Sequence, residues 1–70
     1  MKETISNEVN KIRLERNITQ ELLAEKVGVS RQTIISIEKG NYIPSVLLAL
    51  KFSEYFKVPI EKIFKIKYEK

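Results

Sequence analysis

Several residue types are absent from this chain of 70 residues, and their absence narrows what it can do. It has no cysteine, histidine, aspartate or tryptophan, and it has two glycines and two prolines. Without cysteine and histidine, the chain lacks a disulfide framework, the usual zinc ligands and most nucleophile–base pairs of enzymes. Two isolated glycines cannot form a glycine-rich phosphate loop. We therefore expect no metal, no cofactor and no enzymatic activity.

Glutamate is the remaining acidic residue type. Most of the nine glutamates fall on predicted outer helix faces beside lysine or arginine, where solvated pairing is far more common than acid–base catalysis. The chain also has no apolar run of about 18 residues and no signal-peptide pattern. These features predict a soluble cytoplasmic protein. A chain of this length forms one domain, residues 1–70, with a core of marginal size that pairing with a second copy would help to stabilise.

The net charge of +4 suits a polyanionic partner, but its distribution is uneven. Residues 1–44 hold seven basic and six acidic side chains, whereas residues 45–70 hold six and three, so that the second part carries +3 of the total. Any nucleic-acid contact in the first part must therefore rely heavily on backbone amides and neutral side-chain donors.

The segment from Thr19 to Gly40 has the pattern of two short helices joined by a tight turn. Thr19 and Ser30 stand where each helix should begin, and a hydroxyl there accepts a hydrogen bond from a free N–H of the first turn. The apolar residues of the first of these helices recur at helical spacing and end at Gly28, which can adopt the left-handed conformation of a sharp helix exit. This is the layout of a helix-turn-helix that reads DNA.

The helix that follows Ser30 has an apolar face and a mainly polar one. At about 100° per residue, Ile34 and Ile37 point to one side. The opposite side, called here the reading face, carries chemistry suited to base edges, because Arg forks onto guanine, Gln pairs with adenine and aliphatic groups touch the thymine methyl. An ordinary solvated surface is the alternative interpretation of this helix taken alone. The reading face consists of Arg31, Gln32, Ile35, Ser36 and Lys39.

The pattern N-I-T-Q-x-x-L-A-x-x-x-G-V-S-R-x-T-I-x-x-I-E-K-G-x-x-x-P-S, from Asn17 to Ser45, resembles the Cro and phage-repressor type of helix-turn-helix regulator. The segment ALKFSEYFKVPIEKIF, residues 49–64, is similar to the fourth and fifth helices of that family. The resemblance implies an all-α domain of five helices that binds operator DNA as a dimer, with its third helix in the major groove. It also implies an ion pair between Arg13 and Glu38 that links the first and third helices.

The helical wheel and the resemblance together predict the residues that contact DNA. Base contacts are assigned to Arg31, Gln32 and Ser36, with Ile35 placed against a thymine methyl. Phosphate contacts are assigned to residues around the helix ends. For Thr33, a contact with the DNA backbone and no contact at all are equally favoured. The phosphate set is Thr19, Gln20, Ser30, Thr33, Lys39, Asn41 and Tyr42.

The rest of the chain predicts the scaffold. A first helix from about Ser6 to Arg16 would turn Val9 and Ile12 inward, with Ile5 one turn earlier. A fourth helix capped by Ser45 would run to about Phe56, and Pro59 would open a short last helix through Phe64. The inward residues predicted for the fourth helix are Val46, Leu50, Phe52, Ser53 and Phe56, with Ala49 nearby.

The tail from Phe64 to Tyr68 alternates apolar and lysine residues, which is typical of a short strand. A lone strand needs a partner for its backbone groups. Thr4 and Ile5 could supply one, as could the same tail of a second subunit, and a frayed end is the remaining alternative.

The predicted partners are double-stranded operator DNA and a second copy of the chain. The dimer interface is assigned to Ile60, Ile63, Ile66 and Tyr68, which have little else in the chain to cover them, although they could also complete the core of the monomer. The alternative to a DNA-binding repressor is an antitoxin-type module, which binds a toxin and regulates its own operon. Apolar residues at commonly polar positions of the pattern, Leu22, Ile35 and Leu47, are compatible with either kind of protein partner.

Overall fold

The computed structural model describes residues 2–69, so that Met1 and Lys70 lie outside the described part of the chain. These described residues form five helices, with one strand before the first helix and one strand after the last. Within residues 2–69, no helix is long and apolar enough to span a bilayer. The strands are β1 (Lys2–Asn7) and β2 (Phe64–Glu69), and the helices are α1 (Val9–Glu15), α2 (Gln20–Val27), α3 (Arg31–Glu38), α4 (Val46–Phe56) and α5 (Ile60–Ile63).

The two ends of the chain form a small antiparallel sheet, so the predicted all-α class is only roughly right. Of the alternatives for the tail, pairing within the chain is the one found, with Thr4 opposite Lys67 and Ile5 opposite Ile66. Directly paired residues share a face of an antiparallel sheet, so these two pairs lie on opposite faces.

The first helix is shorter than the sequence predicted, and the predicted helical position of Ile5 is wrong. Residues 2–7 are extended because their backbone groups pair with β2. The side-chain oxygen of Asn7 accepts a hydrogen bond from the N–H of Val9 at 3.1 Å, which helps to begin the helix there. The helix ends before Asn17, which has a left-handed φ of 56°.

The α2–turn–α3 unit has the predicted boundaries. The hydroxyl of Thr19 accepts a hydrogen bond from Leu22 N–H at 3.0 Å, and that of Ser30 accepts one from Thr33 N–H at 3.2 Å. Gly28 has φ 78° and φ of this sign strains any residue with a Cβ, so glycine suits this exit from α2.

The core lies between the helices and is centred on the aromatic residues of α4. Phe52 and Phe56 have no exposed surface, and the ring of Phe64 at the start of β2 packs 5.9 Å from that of Phe52, centroid to centroid. The other members of the core come from all five helices. They are Val9, Leu23, Ala24, Val27, Ile34, Ile37, Leu48 and Ile63.

The inward face predicted for α4 is partly wrong. Val46 is 75% exposed and Leu50 51% exposed, whereas Leu48, which was not predicted, is buried. Ala49 is buried as well, and Ser53 is half-buried. The first half of this helix is apolar on every side, so its periodicity does not define one face, and packing against the other helices decides it.

The last helix is close to the prediction. Ser53 and Val58 hold the end of α4 through a hydrogen bond from the Ser53 hydroxyl to the Val58 carbonyl, 2.7 Å long. Pro59 is the N-cap rather than the first helical residue, and α5 ends at Ile63 because Phe64 is already extended, with φ −122° and ψ 133°.

We expect Phe52→Ala to lower the free energy of unfolding by about 3–5 kcal/mol, because it leaves a cavity at the centre of the core. The control is Leu14→Ala, which truncates an exposed side chain on α1 and should change stability by less than about 1 kcal/mol. Urea denaturation followed by circular dichroism measures both values. Similar losses for the two variants would contradict the central role of Phe52.

Candidate nucleic-acid interface

The third helix presents its predicted reading face to solvent. Ile34 and Ile37 are fully buried and hold the other side of α3 against the core. Arg31 and Gln32 are exposed, whereas Ile35 and Ser36 are half-buried. The burial pattern along α3 thus agrees with the wheel in separating the core side from the polar side.

One part of the reading face borders a shallow concavity of about 320 Å³. It brings together two predicted base-contact residues, Gln32 and Ser36, and three predicted phosphate-contact residues, Ser30, Thr33 and Tyr42. The wheel places Arg31 and Ile35 toward the other border of the face, roughly 100° away from Gln32 and Ser36 respectively. The polar side chains are therefore spread across the width of the helix.

The hydroxyls at the helix N-termini have roles within the domain. Thr19 and Ser30 accept the cap hydrogen bonds described above, and the Ser30 and Thr33 hydroxyl oxygens lie 3.1 Å apart. A hydroxyl that accepts a hydrogen bond keeps its own O–H to donate. Both positions could thus cap a helix and still donate to a phosphate.

The segment after α3 is fixed by backbone hydrogen bonds. The N–H of Asn41 donates to the carbonyl of Ser36 at 2.9 Å, and that of Lys39 donates to Ile35 at 3.1 Å. The side chains of Lys39, Asn41 and Tyr42 are exposed beyond this turn. Their positions next to the reading face suit contacts with a backbone that flanks the bases.

Arg13 and Glu38 form an ion pair that joins α1 to α3. Arg13 Nε lies 2.7 Å from Glu38 Oε2, and the side chains are only 10% and 6% exposed. A second guanidinium nitrogen donates to Oε1 at 3.2 Å, which makes the contact bidentate. The remaining terminal nitrogen donates to the carbonyl of Ile18 at 2.9 Å.

The carboxylate of Glu38 receives two further hydrogen bonds. Asn10 Nδ2 and Gln20 Nε2 each donate to Oε1 at 3.1 Å, so that one carboxylate links α1, α2 and α3. Gln20 was predicted to contact phosphate. The structure gives its amide a partner inside the domain, and the second amide N–H is the group that could reach a phosphate.

These contacts set the ionisation of Glu38. Burial alone would raise the pKa of its carboxyl group, but the hydrogen bonds from Arg13, Gln20 and Asn10, together with the charge of Arg13, outweigh burial and lower the pKa. The ionised form is therefore the one that the fold selects.

Asn7 and Asn10 support the site, and Arg16 joins the end of α1 to the end of α4, although the sequence did not predict these contacts. Asn7 Nδ2 donates to the carbonyl of Ile37 at 2.9 Å and thereby ties β1 to the end of α3. Arg16 donates to the carbonyl of Phe56 and lies over its ring, with 5.5 Å from the guanidinium carbon to the ring centroid. Asn10 is three residues before Arg13 on the same helix face, which is a signal the sequence offered.

The predicted dimer residues do not share one environment. Ile63 is fully buried and belongs to the core of the monomer, so it is not available as a free surface. Ile60 is half-buried. Ile66 and Tyr68 are mostly exposed on β2, on the same face as Ile5.

A sequence comparison identifies the family to which this arrangement belongs. The helix-turn-helix family profile matches residues 9–63, which covers all five helices. The chain belongs to the helix-turn-helix family. This assignment agrees with the resemblance to phage-repressor regulators and makes the α2–turn–α3 unit the DNA-binding element of a transcriptional regulator.

Relatives within the helix-turn-helix family are named as transcriptional regulators. An uncharacterised helix-turn-helix regulator of Methanocaldococcus jannaschii is 55% identical over 60 residues, which cover 86% of this chain and 91% of that protein. A similar regulator of Bacillus subtilis is 47% identical over the same shares of both chains. The cryptic phage CTXphi transcriptional repressor of Vibrio cholerae is 31% identical over 58 residues, 83% of this chain and 52% of the repressor.

A solved structure of a transcriptional regulator has the same fold. The crystal structure of the transcriptional regulator VanUg superposes with a TM-score of 0.78 and is 26% identical in sequence. The alignment covers 99% of this chain and 92% of that one, so the aligned part of this chain includes its strands as well as its helices.

We expect Glu38→Gln to lower the melting temperature by roughly 12 °C or more, because it leaves the Arg13 guanidinium buried without a counter-charge at a cost on the order of 3 kcal/mol. The control is Glu54→Gln at an exposed site on α4. Thermal melts of both variants measure the effect, and a melt of Glu38→Gln within error of the wild type would refute it.

Comparison of Glu38→Gln with the wild type also tests how the stability of the fold depends on pH. Since folding lowers the pKa of Glu38 below its ordinary value of 4.5, the ionised carboxylate stabilises the fold above that value. That stability is lost as the pH falls through the lowered pKa. The wild type should therefore lose more stability than Glu38→Gln on acidification below about pH 4.5, and parallel stability curves would contradict the assignment.

Proposed function

We propose that this protein is a sequence-specific transcriptional repressor that binds a near-palindromic operator as a dimer, with α3 in the major groove. The observation that carries the proposal is the division of α3 into buried isoleucines and a reading face that is open to solvent. Such a helix is held rigidly while its base-reading groups stay free. The similarity to a protein named as a phage repressor supports repression as the direction of control.

Each residue of the reading face has a role that follows from its chemistry. Arg31, at the first position of α3, forks onto guanine O6 and N7, and Gln32 pairs with adenine N6 and N7. Ser36 bonds to either kind of base edge, and Ile35 contacts a thymine methyl group. The half-burial of Ile35 leaves part of its side chain available for that contact.

Phosphate contacts flank these base contacts. Gln20 at the start of α2 and the caps Thr19 and Ser30 donate from one end of the helix-turn-helix. The segment after α3 supplies the other end, and Thr33 lies at the side of the helix. The residues of that segment are Lys39, Asn41 and Tyr42.

A dimer is proposed because one short helix reads too few base pairs to select a single operator among about 10⁶ or more competing sites. Two copies of α3, spaced by one turn of the DNA helix or roughly 34 Å, would read the two halves of a palindromic site. The chain has an apolar surface that a second copy would cover, because monomeric proteins rarely expose large contiguous apolar areas. The exposed apolar residues that we assign to this surface are Ile43, Val46, Leu47, Leu50, Ile66 and Tyr68.

These exposed residues revise the interface that the sequence predicted. Ile43, Ile5 and Ile66 line one concavity of about 230 Å³, so the loop before α4 and the sheet face each other there. We therefore place the dimer contact on this side, including Ile66 and Tyr68, with Ile60 at its margin and Ile63 inside the monomer. An antitoxin function would use the same apolar surface, but no contact among residues 2–69 favours it over the repressor. A cytoplasmic location follows from the proposed binding to DNA.

We expect Arg31→Ala to weaken binding to the preferred duplex by about 1–3 kcal/mol and to relax selection at one base pair in each half-site. The matched control is Lys26→Ala, which removes an exposed charge near the end of α2. Selection from a random duplex library, followed by affinity measurements, gives both results. An unchanged preferred sequence and affinity for Arg31→Ala would contradict the assignment.

We expect Leu47→Lys to shift the protein from dimer to monomer, because it buries a charge in the proposed apolar contact. Leu14→Lys is the control, since Leu14 is similarly exposed on α1. Sedimentation equilibrium with and without the selected duplex measures the assembly state. Point substitutions are preferable to removal of the tail, because the tail also pairs with β1. A dimer that survives Leu47→Lys would place the interface elsewhere.

A further inference from the structure

The fold brings part of the positive charge of residues 45–70 close to the reading face. Residues 45–70 carry +3 of the net charge of +4, which in sequence lies away from α3. Lys67 belongs to this group. Because β2 pairs with β1, and Asn7 of β1 donates to the carbonyl of Ile37 at 2.9 Å, the sheet is fastened beside the end of α3.

A cleft of about 310 Å³ separates the sheet from the end of α3. The sheet contributes Lys67 and the hydroxyl residues Thr4 and Ser6, and the end of the helix contributes Lys39 and the backbone of Gly40. We call these five residues the sheet cleft. Thr4 is the direct partner of Lys67 in the ladder, so their side chains share the same face of the sheet.

The charges around the sheet cleft favour an anion. Glu38 also borders it, but Arg13 pairs with that carboxylate at 2.7 Å. In the described residues, neither Lys39 nor Lys67 has a carboxylate oxygen within 4.0 Å. Glu69 is two residues from Lys67 on the same sheet face, and Lys2 stands opposite Glu69. Two ammonium groups and two hydroxyls therefore face the cleft without a net opposing charge.

We propose that the sheet cleft binds the DNA phosphate backbone next to the base pairs that α3 reads. The ligand is a phosphodiester, held by the ammonium groups of Lys39 and Lys67 and by hydroxyl donors from Thr4 and Ser6. This inference rests on the proposed function, since it needs α3 in the groove. It extends the contact surface from the helix-turn-helix to the sheet made by the chain ends.

The test compares Lys67→Gln with Lys65→Gln. Lys65 lies on the same strand and sheet face, but it lines a groove between α1 and α5 with Lys62 and Lys11. Both substitutions remove one exposed charge. The probes are the duplex selected by the wild-type protein and a scrambled duplex of equal length and base composition.

We expect Lys67→Gln to weaken binding to both duplexes by the same several-fold factor and to leave the preference between them unchanged. The slope of log affinity against log salt concentration should become shallower by about 0.9 per subunit. Lys65→Gln should retain the wild-type affinity and slope, and Lys67→Arg should restore both, since arginine also binds phosphate.

Equal effects of Lys67→Gln and Lys65→Gln would overturn the proposal, because they would reflect net charge alone. No effect of Lys67→Gln would also overturn it. Arg31→Ala, measured on the same duplexes, separates this failure from failure of the proposed function. If Arg31→Ala relaxes sequence preference while Lys67→Gln has no effect, α3 reads DNA and the sheet does not contact it.

Discussion

Burial of the Glu38 carboxylate is the constraint on which the DNA-binding arrangement depends. A charge at 6% exposure is tolerated only when opposite charge and donors surround it, and Arg13, Asn10 and Gln20 meet that requirement from two other helices. The geometry that satisfies the carboxylate also fixes the rotation of α3 about its axis. The direction in which Arg31 and Gln32 point is thus set in part by a polar contact at the opposite end of the helix.

The sheet provides a second attachment for the same helix. Strand β1 reaches the end of α3 through the Asn7 amide. The next residue, Glu8, donates its N–H to the carbonyl of Ile63 in α5 at 2.8 Å. Because β1 and β2 are the two ends of the chain, their pairing closes the domain around a core of limited size. The pairing also places Lys67, which is remote in sequence, beside the end of α3.

The exposed polar groups and the exposed apolar groups lie on different parts of the surface, and we assign a different function to each part. The polar groups of α3 and of the turn after it face one direction, toward the proposed DNA. Exposed apolar groups gather at the start of α4, in the loop before it and on one face of the sheet, where we propose that a second copy binds. The two proposed contacts use different residues, so we expect variants on one surface to leave the other intact.

Local sequence determined the caps Thr19 and Ser30, the turn at Gly28 and the inward pair Ile34 and Ile37, because each depends on near neighbours and on helical periodicity. Resemblance supplied the pairing of Arg13 with Glu38, which spacing alone does not reveal. Tertiary structure decided the extended conformation around Ile5 and the burial of Leu48 in place of Leu50. It also decided the place of Ile63 in the core and the position of Lys67 beside α3. The physical reason is that the pairing of a strand, and the side on which an apolar helix is buried, depend on residues far away in the chain. Local propensity does not predict where those residues lie.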